Sequence, residues 1–184
     1  MPENKPKPFN PMKRILILIV PILIVGFISC NQAPPAATTD TKGDQNKAVV
    51  EKFLNAFCSG DMKMAADQLS DNFMSYGPSI KDSSNRQQFI DLWTKRWETD
   101  LATVTYSRFG NVAVTLDSTD WVDEWANIKA TYKNGTLPVN FNYQGAFRME
   151  KGKIAMYGSF YNVADILEQQ GYTFVPPKKD DKPK

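Results

Sequence analysis

Three carboxylates close together suggest acid–base chemistry. Asp120, Asp123 and Glu124 fall at the start of an alternating segment that runs from about Trp121 to Tyr132. Side chains on a strand point to opposite faces in turn. Asp123 therefore shares a face with Trp121, Trp125 and Asn127, and Glu124 shares the other with Val122, Ala126 and Ile128. A carboxyl set among tryptophans loses hydration in its charged form and can serve as a general base near neutral pH. On that argument Asp123 is the stronger candidate and Glu124 the weaker. The plainer alternative is a solvated carboxylate at a strand end.

Aromatic residues form the second constellation. Trp93 and Trp97 are one helical turn apart, and Tyr76, Trp125, Phe141, Tyr143 and Phe160 lie on extended segments. These residues either line an apolar pocket or fill a small core. A phenol such as Tyr76 or Tyr143 could donate to an oxyanion in a pocket of that kind.

The chain has no histidine, which removes the commonest general base and metal ligand. Its two cysteines, Cys30 and Cys58, do not make a disulfide framework or a Cys-rich metal site. Cys58 has no cation placed to activate it and reads as a quiet buried thiol. No metal or cofactor site is expected.

Elements that would position these groups follow from periodicity. Val49, Val50, Phe53, Leu54 and Phe57 recur at helical spacing after a start near Asp44, and Gly60 stops that helix. Asp61 caps a shorter helix through Leu69, and Phe73–Tyr76 is a short extended piece. Ser84 with Gln87 forms a capping box for a third helix that carries Phe89, Ile90, Trp93 and Trp97. Beyond Asp100 the period becomes two. Strands are expected over Leu101–Phe109 and Val112–Leu116 with Gly110-Asn111 between them, then Trp121–Tyr132, Pro138–Glu150 and Ile154–Tyr161. Asn134-Gly135 and Lys151-Gly152 are the turns, and a last helix runs from Asn162 to Gly171. Helices followed by a meander of strands mean an α+β domain. Helices on one face of a twisted antiparallel sheet leave a cone-shaped cavity suited to a small molecule.

Three stretches carry a family resemblance: VVEKFLNAFCSGDMKMAADQLSDNFMSYGP, FRMEKGKIAMYGSFYN and NVADILEQQG. In this order they resemble the NTF2-like (nuclear transport factor 2) superfamily and its SnoaL-like group, over about 46–174. The resemblance implies an NTF2-like cone, with N-terminal helices packed on a strongly curved antiparallel sheet and a short C-terminal helix. Members that are ketosteroid isomerases or polyketide cyclases use a pocket acid or base. The SnoaL-like cyclases commonly place an Asp where this chain has Asn162, and an amide cannot take a proton at neutral pH. The resemblance thus favours a binding domain over an enzyme, with Asn162 among the ligand contacts. An enzyme using Asp123 or Glu124 is the alternative. A dimer joined through the sheet's outer face, its cavity filled by side chains, is another.

The N-terminus carries an address. Lys13 and Arg14 precede an apolar run from Ile15 to Ile28, too short for the ~20 residues that span a bilayer. Phe27-Ile28-Ser29-Cys30 resembles a bacterial lipobox. Residues 1–29 are expected to be a lipoprotein signal, with Met12 as a possible start, and Cys30 to carry the lipid. Segment 30–45 would be a tether and 175–184 a solvated tail. This places the protein in the cell envelope, on the outer membrane facing the periplasm if the cell is Gram-negative. Setting aside Lys5, Lys7, Lys13, Arg14 and Glu3 leaves 18 basic and 19 acidic residues, a balance that argues against nucleic acid as a partner. The expected partners are the membrane, a small apolar ligand or a protein partner, and a second copy of the chain.

Overall fold

Among the described residues of the computed structural model the first helix, α1, spans Thr41–Ser59 and begins earlier than expected. The structure describes residues 41–79 and 81–175. The expected signal 1–29, Cys30 and most of the tether and tail lie outside those residues. Residues 41–45 of the expected tether are helical because tertiary contacts hold them. Lys42 pairs with Asp120 at 2.6 Å, and Gly43 and Asn46 are buried. Val50, Phe53, Leu54 and Ala56 form the buried stripe of α1.

Gly60 ends α1 at a φ of +82°, and the Trp97 ring lies over it, where a Cβ would come within 3.1 Å. Asp61 caps α2 (Met62–Ala66) by accepting from the Met64 N–H at 2.9 Å. β1 (Leu69–Tyr76) and the short β2 (Ser83–Asn85) lead into α3 (Arg86–Thr99). The capping box of α3 is Asn85 with Gln88, one residue later than Ser84 with Gln87. The Ser84 hydroxyl is turned to β1, where it meets that of Ser75 at 2.7 Å.

The sheet continues as β3 (Leu101–Leu116), β4 (Thr119–Tyr132), β5 (Val139–Glu150) and β6 (Lys153–Phe160), and α4 (Val163–Gln169) is the last element among the described residues. Strand order is β2-β1-β6-β5-β4-β3. All pairings are antiparallel except β1 with β6, which is parallel. Gly110-Asn111 is no turn. β3 runs through it with a register shift between Arg108 and Gly110, a bulge of the kind glycine marks within strands. The turn comes at Asp117-Ser118, with φ of +48° and +62°, the twist a two-residue hairpin needs.

Helices α1 to α3 cover one face of the curved sheet. Phe53 of α1 lies 6.0 Å from Phe147 and 5.8 Å from Tyr157, ring to ring, and Phe89 of α3 lies 5.4 Å from Phe73. The expected inward row of β5 (Val139, Phe141, Tyr143, Gly145, Phe147 and Met149) is the buried row. Helix α4 is tied to β5 by Gln169. It accepts from the Asn140 N–H at 2.7 Å and donates to the Asn140 carbonyl at 2.9 Å.

Candidate functional site

The inner face of β4 carries Val122, Glu124 and Ala126, all fully buried. Small residues at 122 and 126 suit this face because α1 lies directly across it. The parity expected for this strand holds, but the preference between its carboxylates is reversed. Asp123 is on the outer face with Trp121 and Trp125, and burial there raises its pKa. Glu124 is the interior acid.

A buried carboxylate requires a partner, because desolvating an unpaired charge costs several kcal/mol. Two residues of β3 supply it. The Tyr106 hydroxyl and the Arg108 Nε both donate to Glu124 Oε1. Arg108 also reaches Glu51 on α1, 3.6 Å away. Glu124 Oε2 is buried and has no hydrogen-bond partner. Burial is the main cause raising the Tyr106 pKa, with the Glu124 hydrogen bond adding to it, so this phenol stays protonated. Asp120, the third acid of the group, has its pKa lowered by Lys42 and Thr115 and fastens α1 to the β3–β4 hairpin.

Beyond Tyr106 the interior opens. A cavity of about 1220 Å³, open to solvent, lies between α3, α4 and the inner face of the sheet. It is not filled by side chains. Of the expected ligand contacts, Tyr76, Trp93, Phe141 and Tyr143 line it. Trp97, Trp125, Phe160 and Asn162 do not. The Trp97 indole donates to the Phe57 carbonyl at 3.0 Å and packs as a strut between α1 and α3. Trp125 and Phe160 are on the outer face, 38% and 55% exposed. Asn162 caps α4, accepting from the Ala164 and Asp165 N–H groups at 3.1 and 3.2 Å. Its side chain closes a helix rather than facing a ligand.

The cavity is also lined by Cys58, which the sequence marked only as a quiet buried thiol, and by Arg96, Tyr106, Tyr157 and Tyr161, which it did not single out. Alternation in β3 puts Tyr106 and Arg108 on one face, and that pattern was the available signal. At the deep end the Tyr143 hydroxyl donates to that of Tyr157 at 3.1 Å, and both are held protonated by burial. Gly145 makes room for this pair. A Cβ there would fall 2.1 Å from the Tyr143 hydroxyl. The Cys58 thiol, on the same wall, is pushed up to about 12 by burial, so it offers no thiolate near neutral pH. Arg96 sits at the rim with its guanidinium carbon 5.0 Å from the Trp93 ring centre. No group of three or more potential metal ligands occurs among the described residues.

No protein-family model matches the chain, and no curated protein does. Solved structures do. An LEH-like epoxide hydrolase from M. tuberculosis superposes with a TM-score of 0.58 at 18% identity, covering 70% of this chain and 91% of its own. A protein with a ketosteroid isomerase-like fold from Catenulispora acidiphila, solved with trimethylamine, gives 0.57 at 14% identity, covering 70% and 97%. A protein of unknown function from Burkholderia pseudomallei, described as NTF2-like, gives 0.58 at 13%, covering 70% and 98%. The fold is NTF2-like. Identities this low establish the architecture and leave the chemistry to this chain's own residues. In this NTF2-like fold Glu124, the one buried acid among the described residues, is separated from the cavity by Tyr106 and paired with Arg108.

Proposed function

We propose that the NTF2-like domain is a non-catalytic receptor for a small, largely apolar molecule, held at the cell envelope by lipid on Cys30. The open aromatic-walled cavity carries this reading, since a pocket with a few convergent polar groups is the usual form of a small-molecule site. The position of Glu124 supports binding over turnover. A general base must come within about 3 Å of the proton it removes, and Glu124 is not among the cavity-lining residues. The basic, apolar and Phe27-Ile28-Ser29-Cys30 segments support the lipid anchor. Among the described residues no helix is long and apolar enough to cross a membrane.

Titration with the fluorescent probe anilinonaphthalene sulfonate tests the binding reading. Saturable binding is expected, and Phe141→Ala together with Tyr161→Ala should weaken it about tenfold or more. Unsaturable binding, or binding indifferent to both changes, would remove the cavity as the site.

One observation favours a second reading. Glu124 points inward and accepts from a phenol that lines the cavity, so Tyr106 and Glu124 could act together as a proton-transferring pair on an enolisable ketone. Deuterium exchange from solvent into a bound ketone, lost in Glu124→Gln, would establish that reading over the first. A homodimer would use the outer face, where Trp125 and Phe160 are exposed. Sedimentation of the wild type against Trp125→Glu is its test.

A further inference from the structure

The hydroxyl protons at the deep end of the cavity are largely committed within the protein, and this has a consequence for the ligand. A phenol has one proton to give and lone pairs to accept with. Tyr106 gives its proton to Glu124 Oε1. A carboxylate held by an arginine cannot return one, so the bond runs in a single direction. Arg108 supplies that arginine. Tyr143 gives its proton to Tyr157. The Tyr143 hydroxyl lies over Gly145, which pairs with Glu124 on β4, so the two phenols meet neighbouring positions of the same sheet face. Tyr157, having accepted from Tyr143, is also hydrogen-bonded to Ser159.

We infer that the cavity selects ligands carrying a hydroxyl or N–H donor, with the buried Glu124 fixing Tyr106 as the acceptor that reads it. This rests on the binding reading above and names the chemical class it takes. A ligand hydroxyl or N–H can donate to the Tyr106 oxygen, which lines the cavity. A ketone, ester or ether of the same shape has no proton to give and leaves Tyr106 facing an apolar surface. Leaving that acceptor unmet weakens binding by about tenfold, the effect of one lost hydrogen bond. The carboxylate also strengthens Tyr106 as an acceptor, because drawing its proton away enriches the oxygen. Glu124 is thus a positioning residue, acting on the ligand only through Tyr106.

The experiment compares 2-naphthol with 2-methoxynaphthalene, which differ in one donor. Binding is measured by calorimetry on the full chain in detergent, with matched blanks for partition into micelles. In the wild type the naphthol is expected to bind about tenfold more tightly. In Tyr106→Phe the two should come within about twofold of each other, through loss of naphthol affinity. Glu124→Gln is the second variant, because a glutamine amide can donate to the Tyr106 oxygen and free the phenol proton for the cavity. There the preference should shrink or invert toward the ether. Equal wild-type affinities, or a naphthol preference that survives in folded Tyr106→Phe, would overturn the inference while leaving the cavity a binding site. Failure of both naphthalenes and of anilinonaphthalene sulfonate to bind would overturn the receptor reading and this inference with it. If Tyr106→Phe does not fold, the wild-type contrast and Glu124→Gln decide the matter.

Discussion

Gly145→Ala should act on the cavity and on stability by one steric event. The added Cβ would fall 2.1 Å from the Tyr143 hydroxyl and 2.8 Å from Phe147 Cε2. The backbone there is held between β4 and β6, by the pairs Glu124 with Gly145 and Gly145 with Ser159. The side chains must therefore yield. Overpacking of a core typically costs about 1–3 kcal/mol. Losing the 3.1 Å bond from Tyr143 to Tyr157 adds about 1 kcal/mol. Against a total stability of roughly 5–15 kcal/mol the variant still folds, with a melting temperature lower by on the order of 10 °C. The check is a double-mutant cycle with Tyr143→Phe, followed by urea unfolding and the fluorescence of the four tryptophans. Removing the oxygen that the new methyl strikes should make alanine less harmful, giving a coupling of at least about 1 kcal/mol between the two sites. Additive effects, within about 0.5 kcal/mol, would refute the steric reasoning.

Cys58, with its pKa raised from 9.0 to about 12, should react with Ellman's reagent at pH 8 about a thousandfold more slowly in the folded chain than in guanidinium, because the thiolate is the reacting form. Mass spectrometry of the Cys58 peptide reads this, and equal rates would contradict the burial. Asp123 has its folded pKa raised by burial, so its ionisation lowers stability as pH climbs above the unfolded value near 3.9. Asp123→Asn should therefore melt higher than wild type at pH 7 and level with it at pH 3; a difference that is larger at pH 3 would reverse the argument. Cys30→Ser should leave the membrane fraction or accumulate unprocessed, and wild-type partition and processing in that variant would end the lipid-anchor proposal.

Much of the architecture was legible because periodicity reports burial. The stripe of α1, the inward row of β5 and the Lys151-Gly152 turn each follow from one local pattern. The errors have local causes too. Gly110-Asn111 looks like a turn, yet it sits in a bulge of a long strand, while the true turn uses Asp117 and Ser118, which tolerate positive φ less readily than glycine. Asn85 displaces Ser84 as the cap because the Ser84 hydroxyl is engaged with Ser75 across β2, a three-residue strand too short to leave a pattern. The site was harder to read. Parity separated Asp123 from Glu124 correctly, but the tryptophans beside Asp123 suggested the wrong face as interior. The helix that covers the other face prefers small neighbours, and only the assembled sheet reveals that. Tyr106 and Arg108 escaped notice because their significance lies in a carboxylate on the next strand.

The parallel ladder between β1 and β6 has a consequence for how the chain reaches this state. Met74 pairs with Met156 and Tyr76 with Gly158, so about 80 residues separate the partners. The meander from β3 to β6 can form from neighbouring segments. β1 has no place to dock until the last hairpin exists, and closing so long a loop has an entropic cost that slows folding. Phe73, among the most deeply buried side chains, therefore waits for the end of the chain to emerge. A chain cut before residue 153 would keep its first helices and much of its sheet, yet leave that ring and Leu69 without their neighbours on β6. Completion of the core is in this sense a property of the C-terminal quarter, although most core residues precede it.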